Sequence, residues 1–447
     1  MRLFPRIEGT GGVYRLDWIE QLKLKLTAAP TASRVARVSP VVWSLGYTSL
    51  LTDISTEMVN SALPVYLVLH LHLSPLQFGV IDGLYNGLAV ALLSIVAGLA
   101  ADRWARHKEM AGVGYGLSAI CKLLLMATGS AWLLIAAIVG LDRAGKGIRA
   151  APRDAIISFN TERNVLASAF AVHRALDAGG ALLGPIAAFV ILDQLPGQFD
   201  VLWLTSFVFA VIGFSVLGLF VPASRSAEAT AARARSSDSN PAVKSTTREA
   251  FALLGTRKFG AIAACALILS AVTVSDGFIY LLLQQRTNVS ASWIPLFYVG
   301  TACFYMALSV PAGALADRIG HRQVLLGGYA ILAIVYATIF LLPKAGWPAA
   351  LVCLALMGAY YAASEGILMA LASAIIPGRT RTSGLALIGT AIGLGKMVSS
   401  VLFGWLWDSY GKPAAVMTFV AGIVGALIVA SLWLRSALQE QQVVEQT

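Results

Sequence analysis

Two short stretches of this chain repeat one pattern. Ala97-Gly98-Leu99-Ala100-Ala101-Asp102-Arg103 and Pro311-Ala312-Gly313-Ala314-Leu315-Ala316-Asp317-Arg318 each close a long apolar run with an acid and then a base. Asp102 and Asp317 lie 215 residues apart in a chain of 447. That spacing points to two similar halves in tandem. The runs restrict the chain further. Many reach about 20 residues with few charges, the length a helix needs to cross about 30 Å of hydrocarbon. Only 13% of the residues are charged and 57% are hydrophobic, whereas an ordinary soluble domain carries about a quarter charged residues. Too little polar sequence remains to coat a large soluble helical core. The expectation is an all-α membrane protein.

Twelve spans are predicted. The first half gives roughly 41–70, 75–101, 108–130, 131–153, 163–192 and 200–221; the second gives roughly 257–285, 291–316, 322–343, 348–376, 382–408 and 413–436. Residues 222–256, rich in Ala, Ser and Arg, read as a linker between the bundles 41–221 and 257–437, with 438–447 as a tail. Residues 1–40 carry no signal-peptide pattern. Their alternation of apolar and charged residues from Val13 to Leu26 allows an amphipathic helix on the membrane surface or an extension without fixed structure.

The net charge of +10 does not call for nucleic acid. Arg103, Arg106, Lys108, Arg153, Arg163, the linker bases, Arg318, Arg322, Arg379 and Arg381 all fall on one side of the predicted bundle, and the other side holds only Arg286, Lys344 and Lys412. By the positive-inside bias both termini and the linker are cytoplasmic, in a multi-pass protein of the cell inner membrane. The four cysteines (Cys121, Cys265, Cys303, Cys353) lie scattered in apolar runs without metal or disulfide spacing. No cofactor or metal is expected.

Charged groups deep in a span cost several kcal/mol unless they face a partner or water. Span 1 carries Asp53, Glu57 and Asn60 on one helix face. Span 4 carries Asp142, Arg143, Lys146 and Arg149, ending in Arg153-Asp154; span 5 carries His173, Arg174 and Asp177, with Arg174–Asp177 spaced for an intrahelical pair. Asp82, Lys122, Asp276, Glu365 and Lys396 stand singly. At about 1.5 Å per residue, Arg143, Lys122, Lys396 and Asp53 reach mid-membrane. Charges of both signs at one level describe a water-accessible cavity better than a dry bundle. Asp53 and Glu57, two carboxylates one turn apart, are costly to bury as two anions, and a carboxyl that holds or loses a proton as water access changes is what proton coupling needs. Each charge also has a bland role as a hydrogen-bonding or orienting group. Gly179-Gly180-Ala181-Leu182-Leu183-Gly184-Pro185, and Gly389, Gly393 and Gly395 near Lys396, present small faces for close helix packing.

Together these features resemble the major facilitator superfamily, from about residue 40 to 437. The most specific part is the loop signature G-x-L-A-D-R-x-G-[RK]-[RK]. Gly313-Ala314-Leu315-Ala316-Asp317-Arg318-Ile319-Gly320-His321-Arg322 fits it nearly throughout, while the first copy has Ala100 for leucine and Ala105 for the second glycine. The resemblance implies a conformational gate of Asp102, Arg103, Asp154, Asp317 and Arg318, with Asp102 facing the start of span 11 near Thr382 and Ser383 and Arg103 pairing with Asp154. Arg143-Ala144-Gly145-Lys146-Gly147 is similar to the family's span-4 motif, linked to proton coupling, with Lys146 in place of the usual glutamine. Gly180 to Ala188 resembles the span-5 antiporter motif, with Ala188 for its last glycine. Thr52–Met58 and Gly145–Asp154 are similar to a bacterial drug-efflux-like subgroup.

The expectation is thus a secondary active transporter with twelve helices in two six-helix halves, exporting a small organic molecule in exchange for protons by alternating access. Asp53, Glu57, Arg143, His173 and Asp177 are the candidates for proton coupling. Asn60, Tyr85, Lys122, Arg143, Arg174, Asp276, Tyr361, Glu365 and Lys396 are the candidates for substrate binding. The expected partners are a small-molecule substrate, protons and the lipid bilayer, with no nucleic acid and a monomeric protein. The alternatives are a proton-coupled importer of a small metabolite or metal complex, and a membrane scaffold or sensor on a transporter fold. An enzyme is not expected, because no nucleophile elbow, paired metal ligands or phosphate-binding loop appears.

Overall fold

Ser39 and Pro40 start the first helix. The Ser39 side chain accepts a hydrogen bond from the Val41 amide at 3.3 Å, and Pro40 occupies the first helical turn, where its missing N–H is no loss. This helix, α1 (Pro40–Pro64), continues into a π-helical turn at Val65–His70. The computed structural model describes residues 38–86, 101, 106–162, 165–222, 252–341, 346–376 and 381–444, and their regular structure is helical throughout. After α1 come α2 (Pro75–Asn86), α3 (His107–Met126), α4 (Trp132–Phe159), α5 (Leu166–Gln194) and α6 (Phe199–Phe220). A second set follows: α7 (Arg257–Ala271), α8 (Asp276–Thr287), α9 (Ile294–Ile319), α10 (His321–Leu341), α11 (Trp347–Ile375) and α12 (Arg381–Val444). α12 is two helices joined at Gly411, whose φ of 82° and ψ of 167° suit only glycine.

Eight segments of the described residues are long and apolar enough to cross a membrane. α7 and α8 count there as one segment, as do both limbs of α12. The charge-bearing α1 and α4 fall outside that set. The sequence predicts an unbroken span over 257–285; the chain instead leaves the helix between Ala271 and Asp276. The linker and the N-terminal segment lie outside the described residues, apart from their edges.

Lipid offers little hydrophobic drive between helices, so association relies on close packing. α5 meets α1 through glycines. A Cβ on Gly180 would lie 2.5 Å from the Leu50 carbonyl oxygen, and one on Gly184 would lie 2.7 Å from that of Ile54. The second set repeats the arrangement: a Cβ on Gly395 of α12 would meet the Leu267 oxygen and Ser270 Cβ of α7 at 2.6 Å each. α3 packs on α4, and α10 on α11, in the same sense. The internal sequence repeat therefore has a counterpart in packing.

Between the sets the main contacts are α2 with α12 and α5 with α9. Gly79 presses on the Ser400 backbone and Gly404 on Pro75, with no room for a Cβ at either. Around them Phe78 and Phe278 meet edge to face at 4.7 Å, Phe189 and Trp293 at 5.3 Å, and Ser292 donates to Asp193 at 3.1 Å. These contacts gather at the end where α1 finishes and α2 begins. Toward the other end the side chains of Asp177 (37% exposed) and Asp154 (48%) meet solvent. Gly79→Leu or Gly404→Leu should part α2 from α12. In a chain stripped of its native cysteines and carrying Ser275→Cys, labelling by an impermeant maleimide from the sealed end should rise several-fold; unchanged labelling would show that the seal does not depend on this approach.

Candidate functional site

A cavity of about 330 Å³ lies between the two sets. Glu57 and Asn60 of α1, Asp82 of α2, and Ala181 and Pro185 of α5 form one wall. Across from them stand residues 273–276, then Tyr280 of α8, Tyr298, Thr301 and Tyr305 of α9, Tyr361 and Glu365 of α11, and Lys396 and Ser400 of α12.

The unwound segment forms part of the cavity wall. Non-helical backbone at membrane depth is tolerated only where it is enclosed by protein or lines a cavity, and its polar groups need partners. Tyr336 provides two: its hydroxyl accepts from the Val274 amide at 2.7 Å and donates to the Val272 carbonyl at 3.2 Å. Ser399 donates to the Thr273 carbonyl at 2.5 Å. The Ser275 Oγ is buried and has no hydrogen-bond partner among the described residues. The sequence signal for this break is the polar run Thr273-Val274-Ser275-Asp276-Gly277 inside an apolar span, in which Asp276 alone is charged.

Within the cavity Tyr361 donates to Asp276 at 2.6 Å, Ser400 donates to Asp82 at 2.6 Å, and Tyr280 donates to Thr301 at 2.7 Å. Asn60 donates to Glu57 at 2.8 Å, and Lys146 stands 3.9 Å from Glu57 on its other oxygen. Glu365 and Lys396 have no hydrogen bond or ion pair to another described residue. The site thus takes in Asn60, Glu57, Asp276, Tyr361, Glu365 and Lys396 from the expected set. It adds Asp82, Ser400, Tyr280, Tyr298 and Tyr305. Tyr298 and Tyr305 are seven residues apart, one helix face, and that spacing was readable.

A second polar layer joins α1, α4 and α5 on the solvent-reached side. Arg149 donates to Asp53 at 3.3 Å and its guanidinium lies over the Tyr115 ring at 4.6 Å. Arg153 donates to Asp154 at 3.0 Å and to Ser49 at 3.3 Å, and stands 3.8 Å from Asp177. Ser49 and His173 share a 2.9 Å hydrogen bond. The carboxyls of Asp53 and Asp177 come within hydrogen-bonding reach of each other. The spacing of Arg174 and Asp177 suggests an intrahelical pair, but Arg174 points outward and Asp177 faces Arg153 instead. Asp53 and Glu57 share a helix but serve different layers, because α4 presents a separate base to each.

Lys122 and Arg143 do not reach the cavity wall. Both close on Asp142: Lys122 by a short ion pair, Arg143 at 2.9 Å, with Ser118 donating to the same carboxylate. Arg143 also covers the Tyr85 ring, 3.7 Å from its centroid. Tyr85 borders a small void that shares Asn60, Asp82 and Tyr298 with the cavity wall. Of the gate residues, Asp154 pairs with Arg153, Asp317 stands 3.7 Å from His321, and Arg318 is exposed. Asp102, Arg103 and the side chains of Thr382 and Ser383 lie outside the described residues. Among the described residues no group of three or more His, Cys, Asp or Glu could hold a metal ion.

Removing one partner of a buried ion pair leaves an uncompensated charge, at a cost of about 3–5 kcal/mol. Asp142→Asn should therefore lower the thermal midpoint of the detergent-solubilised protein clearly, and adding Lys122→Met should recover part of the loss. Equal midpoints for wild type and Asp142→Asn would show that the cluster does not stabilise the fold.

Comparison with known proteins places this architecture. The family model of the Major Facilitator Superfamily matches residues 45–304 and 262–445. An uncharacterized MFS-type transporter of Methanocaldococcus jannaschii is 31% identical over 403 residues, covering 88% of this chain and 93% of the relative. An uncharacterized protein of Mycobacterium tuberculosis is 32% identical over 141 residues, 32% of this chain and 34% of that protein. Among solved structures, a mutant of the nucleoside transporter NupG superposes with a TM-score of 0.73 at 12% identity, covering 89% of this chain and all of that one. A POT family transporter in complex with 5-aminolevulinic acid gives 0.69 at 12% identity, covering 89% and 96%. A whole-length family match, a relative aligned along most of both chains and a shared fold agree: the chain belongs to the Major Facilitator Superfamily and is a membrane transporter, not an enzyme.

Proposed function

We propose that this transporter exports a small organic molecule in exchange for protons, as the drug-efflux-like members of its family do, by alternating access of a central site. In this reading the helices make twelve crossings of the inner membrane in two six-helix halves, α7 with α8 forming one crossing and α12 two. The protein is a monomer with both termini in the cytoplasm. The sealed end, with its glycine contacts, then faces outward, and the cavity communicates with the cytoplasm.

One observation carries the proposal. The carboxyl pair Asp53–Asp177 and the cavity are built on the same two helices, one turn apart. Asp53 and Asp177 are each four residues from a cavity residue, Glu57 on α1 and Ala181 on α5. α1 and α5 pack through glycines with no slack, so a change at the carboxyl pair is felt at the cavity wall. Two carboxyls within hydrogen-bonding reach are held together by sharing one proton, and two anions there repel. Arg149 and Arg153 face the pair and offset its charge once the proton has left. The pair therefore gives a proton a seat whose occupancy acts on α1 against α5. His173, linked through Ser49 to Arg153, stands in the same layer and offers a relay group.

The test starts from retention of a broad panel of small molecules in cells expressing wild type or Asp177→Asn. Compounds depleted only by wild type identify substrates. With such a compound in proteoliposomes, Asp53→Asn and Asp177→Asn should each lose about tenfold or more of pH-gradient-driven accumulation while keeping exchange at equal concentrations. Gradient-driven transport at the wild-type rate in both variants rejects the proton site; greater retention by wild-type cells reverses the direction.

A further inference from the structure

The charges and rings of the cavity specify its occupant more narrowly than export of a small molecule does. Among the described residues Glu57, Asp82, Asp276 and Glu365 face one base, Lys396, inside the cavity, and Lys146 approaches Glu57 from beside it. Four carboxylates against two bases leave an excess of negative charge. Arg143 and Lys122, two of the bases expected to contact the substrate, are already held by Asp142.

The aromatic wall points the same way. The N-terminal set uses tyrosine faces to hold cations of its own: Arg143 sits over Tyr85 and Arg149 over Tyr115. In the C-terminal wall, Tyr280, Tyr298, Tyr305 and Tyr361 form edge-to-face pairs, at 4.6 Å for Tyr280–Tyr298 and 6.5 Å for Tyr305–Tyr361. Among the described residues none of these four rings carries a resident cation. Rings flanked by carboxylates, with the cation missing, are the arrangement that takes up an ammonium group from a ligand. Two groups beside them are unspent among the described residues: Glu365, exposed and without a hydrogen bond, and the Ser275 Oγ, buried without one. The single Tyr361 hydrogen bond leaves the second oxygen of Asp276 available.

We infer that the cavity binds an organic cation, an amine or quaternary ammonium on a compact aromatic or aliphatic body, with the charged nitrogen between Asp276 and Glu365 and against the Tyr305 and Tyr361 rings. A volume of about 330 Å³ suits a molecule of this size rather than an extended one. The inference rests on the central cavity being the transported substrate's site. It is independent of proton coupling and of direction.

Equilibrium binding to the purified, detergent-solubilised protein separates it from those readings, because no gradient is involved. The probes are benzyltrimethylammonium, its uncharged isostere neopentylbenzene, and the anion phenylacetate, read by calorimetry. The cation should bind about tenfold or more tightly than either of the others. Glu365→Gln, at a position that makes no hydrogen bond or ion pair to another described residue, should lower that affinity about tenfold, and Asp276→Asn at least as much. Tyr361→Phe, which keeps the ring, should lose less. Equal binding of the cation and neopentylbenzene, no binding of the cation at millimolar concentration, or tighter binding of phenylacetate that Lys396→Met abolishes, each overturns the inference. Cation binding that survives in a protein without proton-driven transport upholds it while rejecting the coupling proposal.

Discussion

A charge inside an apolar bundle must find an opposite charge, a ring face or water, and α4 is where this chain meets that demand. Asp142, Arg143, Lys146, Arg149 and Arg153 project from one helix to different neighbours: Lys122 on α3, Tyr85 on α2, Glu57 and Asp53 on α1, Asp177 on α5. Each pairing fixes the rotation of a neighbouring helix relative to α4, since turning it would strand a charge at several kcal/mol. The polar residues of the first six helices thus orient one bundle as well as supplying its chemistry. Arg143 illustrates the double use, closing on Asp142 while covering Tyr85 at the edge of the cavity.

Close approach of backbones does the corresponding work where helix faces meet through glycine. Gly180 and Gly184 of α5 against α1, Gly395 of α12 against α7, and Gly79 with Gly404 across the two sets are positions where one methyl group would push helices apart. Such faces are tight and carry few directional bonds, Ser400 to Asp82 across the sets and Ser49 with His173 between α1 and α5 among them. A small rotation exchanges one set of van der Waals contacts for another at little cost, which suits helices that must both seal and part. The break between α7 and α8 is the opposite kind of feature. There Tyr336 and Ser399 hold three backbone groups in place, and the fixed segment presents Ser275 and Asp276 to the cavity.

Much of the fold was legible from residue order. The helical class, the positions of most spans and the layer of charges in spans 1, 4 and 5 follow from run length and from the cost of burying charge. Asp53, Glu57, Asp276, Tyr361, Glu365 and Lys396 were recognisable as interior polar groups for the same reason. Their grouping was not. Lys122 reads like Lys396, a single base at mid-depth, yet one is locked on Asp142 and the other faces the cavity. Arg174 and Asp177 are spaced to pair, yet Arg153 takes the aspartate from another helix. Tyr298 and Tyr305 of α9 carry no charge, so their seven-residue spacing places them on one helix face without telling what that face meets.

By itself the sequence determined that this chain is a helical membrane protein with an internal repeat, because hydropathy, length and charge placement act between each segment and its solvent and need no knowledge of neighbours. The tertiary structure decided which charges pair, where the helix over 257–285 opens, and which rings and carboxyls enclose a common space. Those outcomes depend on how far each helix rotates and how closely it approaches the next. That is settled by contacts between residues such as Gly180 and Leu50, or Tyr336 and Val274, that lie 62 or more positions apart in the chain.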